Sequence, residues 1–294
     1  MVSPFWDRAF RLFAWGCSLV LMGTFLIIIG FLCIKGYTAL NLRLIFGDTG
    51  FWDAVVLRRQ VFDGLFPAMA GTLCLILLSV VLAVPLGLST GIFLAEYASP
   101  RVKWFFSFVF DILAGIPSIV VGLFGFSITL FLHQSFFDRL YPCLLISALS
   151  LAFLVLPYMI RTTQMALESL PASLRLTAPS LGATQLQSIV YVLLPAALST
   201  ILSGIILSIG RCAEDTAVIM LTGAVATAGI PRSVFSSFEA LPFYIYYISS
   251  QYADHSELIN GYGACLVLIF ICMNLFVLSH FLKKRLSQKL LFRH

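Results

Sequence analysis

Five ionisable residues stand in or beside long apolar runs: Asp111, Arg161, Arg211, Glu214 and Asp215. Arg211 lies well inside the run Ala196–Val225, where insertion scales charge at least about 2.5–3.5 kcal/mol for an arginine. Glu214 and Asp215 follow at i+3 and i+4, on the same helical face. A guanidinium fork makes paired hydrogen bonds with tetrahedral oxyanions as readily as with carboxylates. The grouping therefore points to an anion pathway, in which acidic neighbours hold the arginines when no anion is present and keep binding weak enough for release. Two other readings stay open. The charges could form a salt-bridge cluster that staples helices and touches no substrate. Alternatively, Asp111, Glu214 and Asp215 could relay protons in an ion-coupled transporter or channel. Arg161, near one end of its run, also has the option of snorkelling to the interface. Pro117 and Ser118, in "GIPSIVVG", interrupt the run that carries Asp111, and a broken helix lining the path is expected there.

The elements that hold these residues must be membrane helices. Of 294 residues, 60% are hydrophobic and 11% charged, against about 25% charged in soluble domains, and the mean hydropathy is +1.01. A soluble enzyme or nucleic-acid-binding protein is excluded. Cys17, Cys33, Cys74, Cys143, Cys212, Cys265 and Cys272 all fall in or beside apolar runs without C-x-x-C spacing, so buried structural thiols are expected rather than a metal site or disulfide framework. His133, His255, His280 and His294 form no ligand-spaced cluster, no nucleophile–base motif is present, and no metal or cofactor is expected on this chain.

Apolar runs give six spans, roughly Leu12–Ile34, Phe66–Leu94, Trp104–Leu132, Pro142–Met165, Ala196–Val225 and Leu258–Leu282. The first is too long for a signal-peptide core and is expected to be retained. Pro67, Pro85, Pro117 and Pro157 are possible break points. Gly87/Gly91, Ser199/Ser203 and Gly204/Ser208 have the four-residue spacing of close helix packing. With both termini in the cytoplasm, that side holds Arg8, Arg11, Arg101, Lys103, Arg161, Arg175, Lys283, Lys284, Arg285, Lys289 and Arg293. The other side holds Lys35, Arg43, Arg58, Arg59, Arg139 and Arg232. The excess favours that orientation under the positive-inside rule. The loops 36–65 and 226–257 then lie outside, and Phe235, Phe238, Phe243, Tyr244, Tyr246, Tyr247 and Tyr252 are read as an interfacial aromatic belt or re-entrant pieces. Glu96 falls at the inner end of span two, beside Arg101 and Lys103, where a surface ion pair is expected.

Residues 166–195 are then a cytoplasmic loop. Pro171 can open a short helix with Leu170, Leu174, Ala178 and Leu181 as its apolar stripe, and Gly182 can take the left-handed conformation that ends it. Thr184 and Gln187 form a T-x-x-Q capping box for a second helix. That helix carries Leu186, Ile189, Val190, Leu193 and Leu194 on one face. Such a surface either rests on lipid or docks into a partner's groove.

This stretch resembles the E-A-A-x-x-x-G-x(9)-I-x-L-P loop of binding-protein-dependent ABC importer permeases, with Ala178, Gly182, Val192, Leu194 and Pro195 at matching offsets. Leu176 and Thr177 stand where that family has Glu and Ala. Pro179 is expected to shorten or break the helix, since an interior proline costs about 3 kcal/mol. Four stretches, "GIFLAEYASP" (91–100), "DILAGIPSIVVGLFG" (111–125), "VLPYMIRTTQMAL" (155–167) and "ILSIGRCAEDTAVIMLTG" (206–223), resemble permeases of the phosphate importer, PstA type. The family reads A-G-E-T-A where Ala213-Glu214-Asp215-Thr216-Ala217 stands here.

The resemblance implies an all-α, MetI-like fold: a helix and exterior loop (1–64), a five-helix permease core (65–282) and a basic tail (283–294). It implies transport of inorganic phosphate across the bacterial inner membrane, with sulfate, molybdate or tungstate as alternative oxyanions, along a path including Asp111, Pro117, Ser118, Arg161, Arg211, Glu214 and Asp215. It gives Arg175, Leu176, Thr177, Ala178, Pro179, Gly182, Thr184, Leu194 and Pro195 to an ATPase-coupling loop and places Glu96 near it in a structural role. The chain has no G-x-x-x-x-G-K-[ST] loop, so ATP and Mg are left to a separate ATP-binding subunit, in two copies. A paralogous PstC-type permease and a periplasmic or lipid-anchored phosphate-binding protein complete the implied partners.

Overall fold

The computed structural model describes residues 4–47, 64–135 and 141–291, and within these the side chains of residues 4, 5, 7 and 286–291 are not described. Arg58, Arg59, Arg139, Arg293 and His294 lie outside the described residues, as does the side chain of Lys289.

Among the described residues the chain is almost wholly helical. The helices are α1 (Pro4–Gly36), α2 (Leu42–Phe46), α3 (Phe66–Glu96), α4 (Pro100–Ala114), α5 (Ser118–Ser135), α6 (Leu144–Glu168), α7 (Ala172–Ser180), α8 (Gln185–Glu214), α9 (Ala217–Thr222), α10 (Leu241–Gln251) and α11 (His255–Leu291). Six of them, α1, α3, α5, α6, α8 and α11, are long and apolar enough to cross a membrane. A backbone in lipid must satisfy its own hydrogen bonds, which helices do internally. The long apolar runs therefore become helices despite interior prolines. Pro85 and Pro157 sit inside continuous α3 and α6, and Pro67 lies in the first turn of α3, where a missing N–H costs nothing. Of the four candidate break points, only Pro117 breaks a helix.

The centre of the bundle is α6, the most buried span, flanked by α3, α4, α5 and α8. Close approach rather than large side chains makes these contacts. A Cβ on Gly87 would lie 2.5 Å from Cβ of Met159, and one on Gly91 would lie 2.6 Å from Cβ of Thr163. On the other side, one on Gly204 would lie 2.6 Å from the Thr162 methyl. Lipid offers no hydrophobic drive for helix association, so this intimacy of small residues supplies the packing. Leu75, Ala83, Leu151, Val155, Cys212, Val218, Ile219 and Phe238 form the central core.

One expectation about the spans, the break at Pro117–Ser118, is met, and two change. The third run is split into α4 and α5 at Gly115–Pro117. The fifth span starts earlier and ends earlier than Ala196–Val225. The helix capped by Thr184 does not stop at the membrane edge but continues through a π-helical turn (Ile189–Leu193) to Glu214. The chain then breaks and re-forms as the short α9. The interhelical segment therefore contracts from 166–195 to residues 169–184. Cysteine burial is also mixed. Cys143 and Cys212 are buried, Cys265 and Cys272 half-buried, and Cys17, Cys33 and Cys74 exposed on faces that apolar neighbours also leave open.

Beyond α9 the chain folds back over the bundle end. Backbone N–H groups at the start of α6 donate to this segment, Leu144 to Ser236 and Leu145 to Val234. Phe238 is fully buried and Phe235 is 64% exposed, so the expected aromatic belt is divided between core and surface.

Candidate functional site: two arginine stations and a docked helix turn

Arg211 stands one turn before the end of α8 because the chain breaks at Asp215. There the backbone turns extended (φ −76°, ψ 117°), and the Asp215 carboxylate accepts a hydrogen bond from the Val218 N–H at 2.9 Å, capping α9. Asp215 is buried. Glu214 instead takes the place beside the arginine, its Oε1 accepting from the Arg211 guanidinium at 2.9 Å. The expected i, i+4 partner of Arg211 is thus committed elsewhere, since the helix that would have aligned it has ended.

Arg211 and Glu214 line a cavity of about 380 Å³, together with Ser208, Leu207 and Gly210 of α8, Val155 and Tyr158 of α6, and Phe276 of α11. Its walls are mostly apolar, with a few convergent polar groups, as in ligand sites generally. The Arg211 Nε atom is buried and has no hydrogen-bond partner. Leaving such a donor unsatisfied in a low-dielectric interior costs about 1–3 kcal/mol.

One turn along α6 from Tyr158 lies the second arginine. Arg161 grips Asp111 of α4 through two atoms, Nε to Oδ1 at 3.0 Å and a terminal nitrogen to Oδ2 at 3.2 Å. Arg161 also donates to Gln164, Gln164 donates to Glu168 at 2.7 Å, and Lys103 pairs with Glu168 at 2.8 Å. No residue of α4 is fully buried, and this polar ladder, with Ser107 beside Gln164, links α4 to α6. Arg161 is thus tied to a neighbouring helix. The break at Gly115–Pro117 frees carbonyls at the end of α4, and the Tyr158 hydroxyl donates to that of Ala114 at 3.1 Å. Ser118 opens α5 immediately after Pro117.

The turn between α6 and α8 is rigidly docked. The α7 helix runs through Pro179 and ends at Ser180, so Pro179 does not break it. The residue sits in the last turn, where it removes at most one backbone bond. Gly182 adopts φ +80°, and Thr184 and Gln187 form the full reciprocal capping box. Arg175 turns inward, donating to Glu96 of α3 and, at 2.6 Å, to the Leu167 carbonyl. Glu96 therefore pairs across the loop and not with Arg101 or Lys103, and Gln185 adds a bond to the Glu96 carbonyl at 2.8 Å. Outward, α7 shows no charge. Leu176 is 65% exposed and Leu181 85%, Thr177 and Ser180 spend their hydroxyls on their own helix, and Ala178 faces in. Leu194 and Pro195 belong to α8 just beyond the π turn.

At the opposite bundle end, Glu239 accepts from the Gly229 N–H at 2.6 Å. Burial raises its pKa, and that hydrogen bond acts in the opposite direction.

Sequence reasoning missed Tyr158, Ser208 and Phe276 in the cavity wall. It also missed Gln164 and Glu168, although Arg161, Gln164 and Glu168 at i, i+3 and i+7 draw a polar line down an apolar helix. Among the described residues no His, Cys, Asp or Glu cluster could hold a metal ion.

The pattern of binding-protein-dependent transport system inner membrane components matches residues 87–291. The chain belongs to that family. Phosphate transport system permease protein PstA 1 of Mycobacterium tuberculosis is 37% identical over 221 residues, which cover 74% of this chain and 69% of the relative. PstA of Haemophilus influenzae is 31% identical over 224 residues, 76% of this chain and 77% of the relative. Solved structures agree in fold. A bacterial alginate ABC transporter chain aligns with TM-score 0.66 over 97% of this chain and 99% of its own, at 16% identity. A chain of the inward-facing MetNI methionine ABC transporter aligns with TM-score 0.57 over 82% and 99%, at 18% identity. The family's members are multi-pass membrane subunits, and this chain is an all-helical permease subunit of that MetI-like type, not itself a catalyst.

Proposed function

We propose that this chain is a transmembrane subunit of an ATP-driven importer that moves inorganic phosphate inward across the cytoplasmic membrane. The relatives named as phosphate permeases support the substrate. The observation that carries the residue-level reading is the cavity bounded by Arg211 and Glu214, where a membrane-embedded guanidinium keeps a buried, unpaired N–H. In this reading Arg211 is a transit station and not a storage site. Selection occurs mainly in a separate phosphate-binding protein, and the permease supplies a weak cationic stop exposed alternately to the two sides.

Arg161 and Asp111 form a second position, one helical turn from Tyr158. The Asp111 carboxylate occupies the fork that an oxyanion would use, and the break at Pro117–Ser118 lets α4 move apart from α5. The α7 turn, with Leu176, Leu181 and Gly182, faces the cytoplasm and receives an ATP-binding subunit, which hydrolyses ATP with Mg. Two such subunits and a PstC-type permease complete the assembly, and both termini of this chain lie in the cytoplasm. The Lys and Arg bias and the neutral, apolar outer face of α7 support this orientation.

Uptake of labelled phosphate and of labelled sulfate, in cells lacking the chromosomal copy and complemented with wild type or Arg211→Ala, tests the proposal. Restored phosphate uptake that Arg211→Ala removes, with the complex still assembled and an ATPase co-purifying, supports it. Normal uptake in Arg211→Ala, or transport that persists without the ATPase, refutes it.

A further inference from the structure

The Arg211 cavity has an unusual balance of donors and acceptors. Ser208 donates its hydroxyl hydrogen to the Gly204 carbonyl at 3.0 Å, and Tyr158 donates its own to the Ala114 carbonyl at 3.1 Å. Carbonyl oxygens only accept, so both hydroxyls present only lone pairs to the cavity. Glu214, 63% exposed, is an acceptor throughout when ionised. Asp215, the adjacent acid, is turned away to cap α9. Val155, Leu207, Gly210 and Phe276 add no side-chain polar atom. Arg211 is therefore the one side-chain donor in a wall that otherwise accepts.

A fully deprotonated oxyanion fits that wall badly. Its oxygens can all accept, but only Arg211 donates, and its double charge faces the Glu214 carboxylate across the same space. An oxyanion that keeps a proton meets both demands: its bare oxygens take the guanidinium, and its hydroxyl donates to Glu214. For the monoanion, dihydrogen phosphate, repulsion from Glu214 is also half that of a dianion such as sulfate or monohydrogen phosphate, the latter gaining only the hydrogen bond. We propose that Glu214 reads the proton on the transported anion, making this station selective for protonated tetrahedral oxyanions, dihydrogen or monohydrogen phosphate and arsenate, over sulfate, molybdate and tungstate. The inference rests on the Arg211 station of the preceding section. It makes the extra carboxylate a specificity-determining residue and not an obstacle to phosphate. Of the other titratable groups nearby, Tyr158 is committed to Ala114 and Asp215 to the Val218 N–H.

The test uses the whole complex, with its ATP-binding and partner permease subunits, in nanodiscs without nucleotide. Labelled phosphate binding is measured, and only the portion that Arg211→Ala removes is counted. Unlabelled arsenate, sulfate and molybdate then compete at fixed pH. Wild type should be displaced by arsenate at concentrations close to those of phosphate, and by sulfate only at concentrations at least about tenfold higher. That preference is expected because a hydrogen bond to a charged group corresponds to roughly 10- to 150-fold in binding. Glu214→Gln places a donor amide beside Arg211 and should collapse the phosphate-to-sulfate preference by about tenfold or more. Glu214→Ala should weaken the preference without supplying a new donor, and serves as a check should the glutamine variant assemble poorly. An unchanged preference in both variants overturns the proton-reading role while leaving the Arg211 station intact. If Arg211→Ala removes no binding at all, the station itself fails and this inference with it.

Discussion

Arg175→Ala should loosen the α7 turn from the bundle and uncouple ATP hydrolysis from transport. In the structure Arg175 is the peg between α7 and α3, joined at once to Glu96 and to the Leu167 carbonyl. The Glu96 side chain is only 10% exposed. Removing one member of a buried ion pair strands the other and costs about 3–5 kcal/mol. Because the guanidinium is 28% exposed, solvent screening brings the cost below that range, to about 2–3 kcal/mol. On α7 the buried Ala178 and half-buried Leu174 then remain, and Gln185 of α8 keeps its bond to the Glu96 carbonyl. A loss of 2–3 kcal/mol raises the open population of such a segment by about 30- to 150-fold. Hydrogen exchange across residues 172–181 should accelerate by that factor, while α6 stays protected. In reconstituted complexes, phosphate carried per ATP should fall several-fold with ATP hydrolysis retained. Arg175→Lys should recover part of the anchoring, because an ammonium reaches Glu96 but cannot bridge both acceptors with one planar fork. Wild-type exchange rates together with a wild-type transport-to-hydrolysis ratio in Arg175→Ala would refute the peg.

Other perturbations reach different parts of the chain. Gly182→Val forces a β-branched residue to φ +80°, at a cost of about 1–3 kcal/mol, and should lower the transport-to-hydrolysis ratio while assembly, followed by co-purification, persists. Gly71→Ala puts a Cβ 2.0 Å from the Glu239 carbonyl oxygen. Since backbone must shift, a loss of about 1–3 kcal/mol is expected, read as a lower Tm of the purified complex. Asp111→Asn keeps the shape but weakens the clasp on Arg161, so cysteine cross-linking between α4 and α6 should become less efficient. Burial raises the Glu239 pKa, so the folded state holds this proton to higher pH than the unfolded chain. Stability from this group is full below the ordinary glutamate range and falls as pH rises through the raised value. Glu239→Gln keeps an acceptor for the Gly229 N–H and should flatten that slope in thermal melts taken across pH.

Hydropathy and backbone chemistry made most of the architecture legible: six runs, six helices capable of spanning, and a capped turn whose glycine and T-x-x-Q pair behave as their chemistry requires. Helix ends were less legible, because they depend on tertiary competition. Apolar content continues past Glu214, so nothing local announces that Asp215 will abandon Arg211 to cap α9. Nor does the Pro179 penalty reveal itself as harmless until the proline is found in a final turn. Glu96 shows the same limit. Its nearest basic residues in sequence are Arg101 and Lys103, yet its partner is Arg175, brought in by the fold. The Arg161–Asp111 pairing could be guessed only as two charges too costly to leave alone in lipid. The cavity wall needed three helices to be placed before Tyr158, Ser208 and Phe276 could be seen together.

The way α1 is held has a consequence for assembly of the chain. Its protein contacts are concentrated near Gly36, where a Cβ would strike Tyr262 and Leu266 of α11, and where Phe31 meets Tyr262 edge to face at 5.7 Å. Most of its remaining length is open to the surroundings. The chain that precedes α11 therefore offers α1 little protein surface to pack on until Tyr262 and Leu266 are present. Shortening the chain before Tyr262 should leave α3–α8 able to associate and α1 adrift. The segment that enters the membrane early would thus be among the last to find its place.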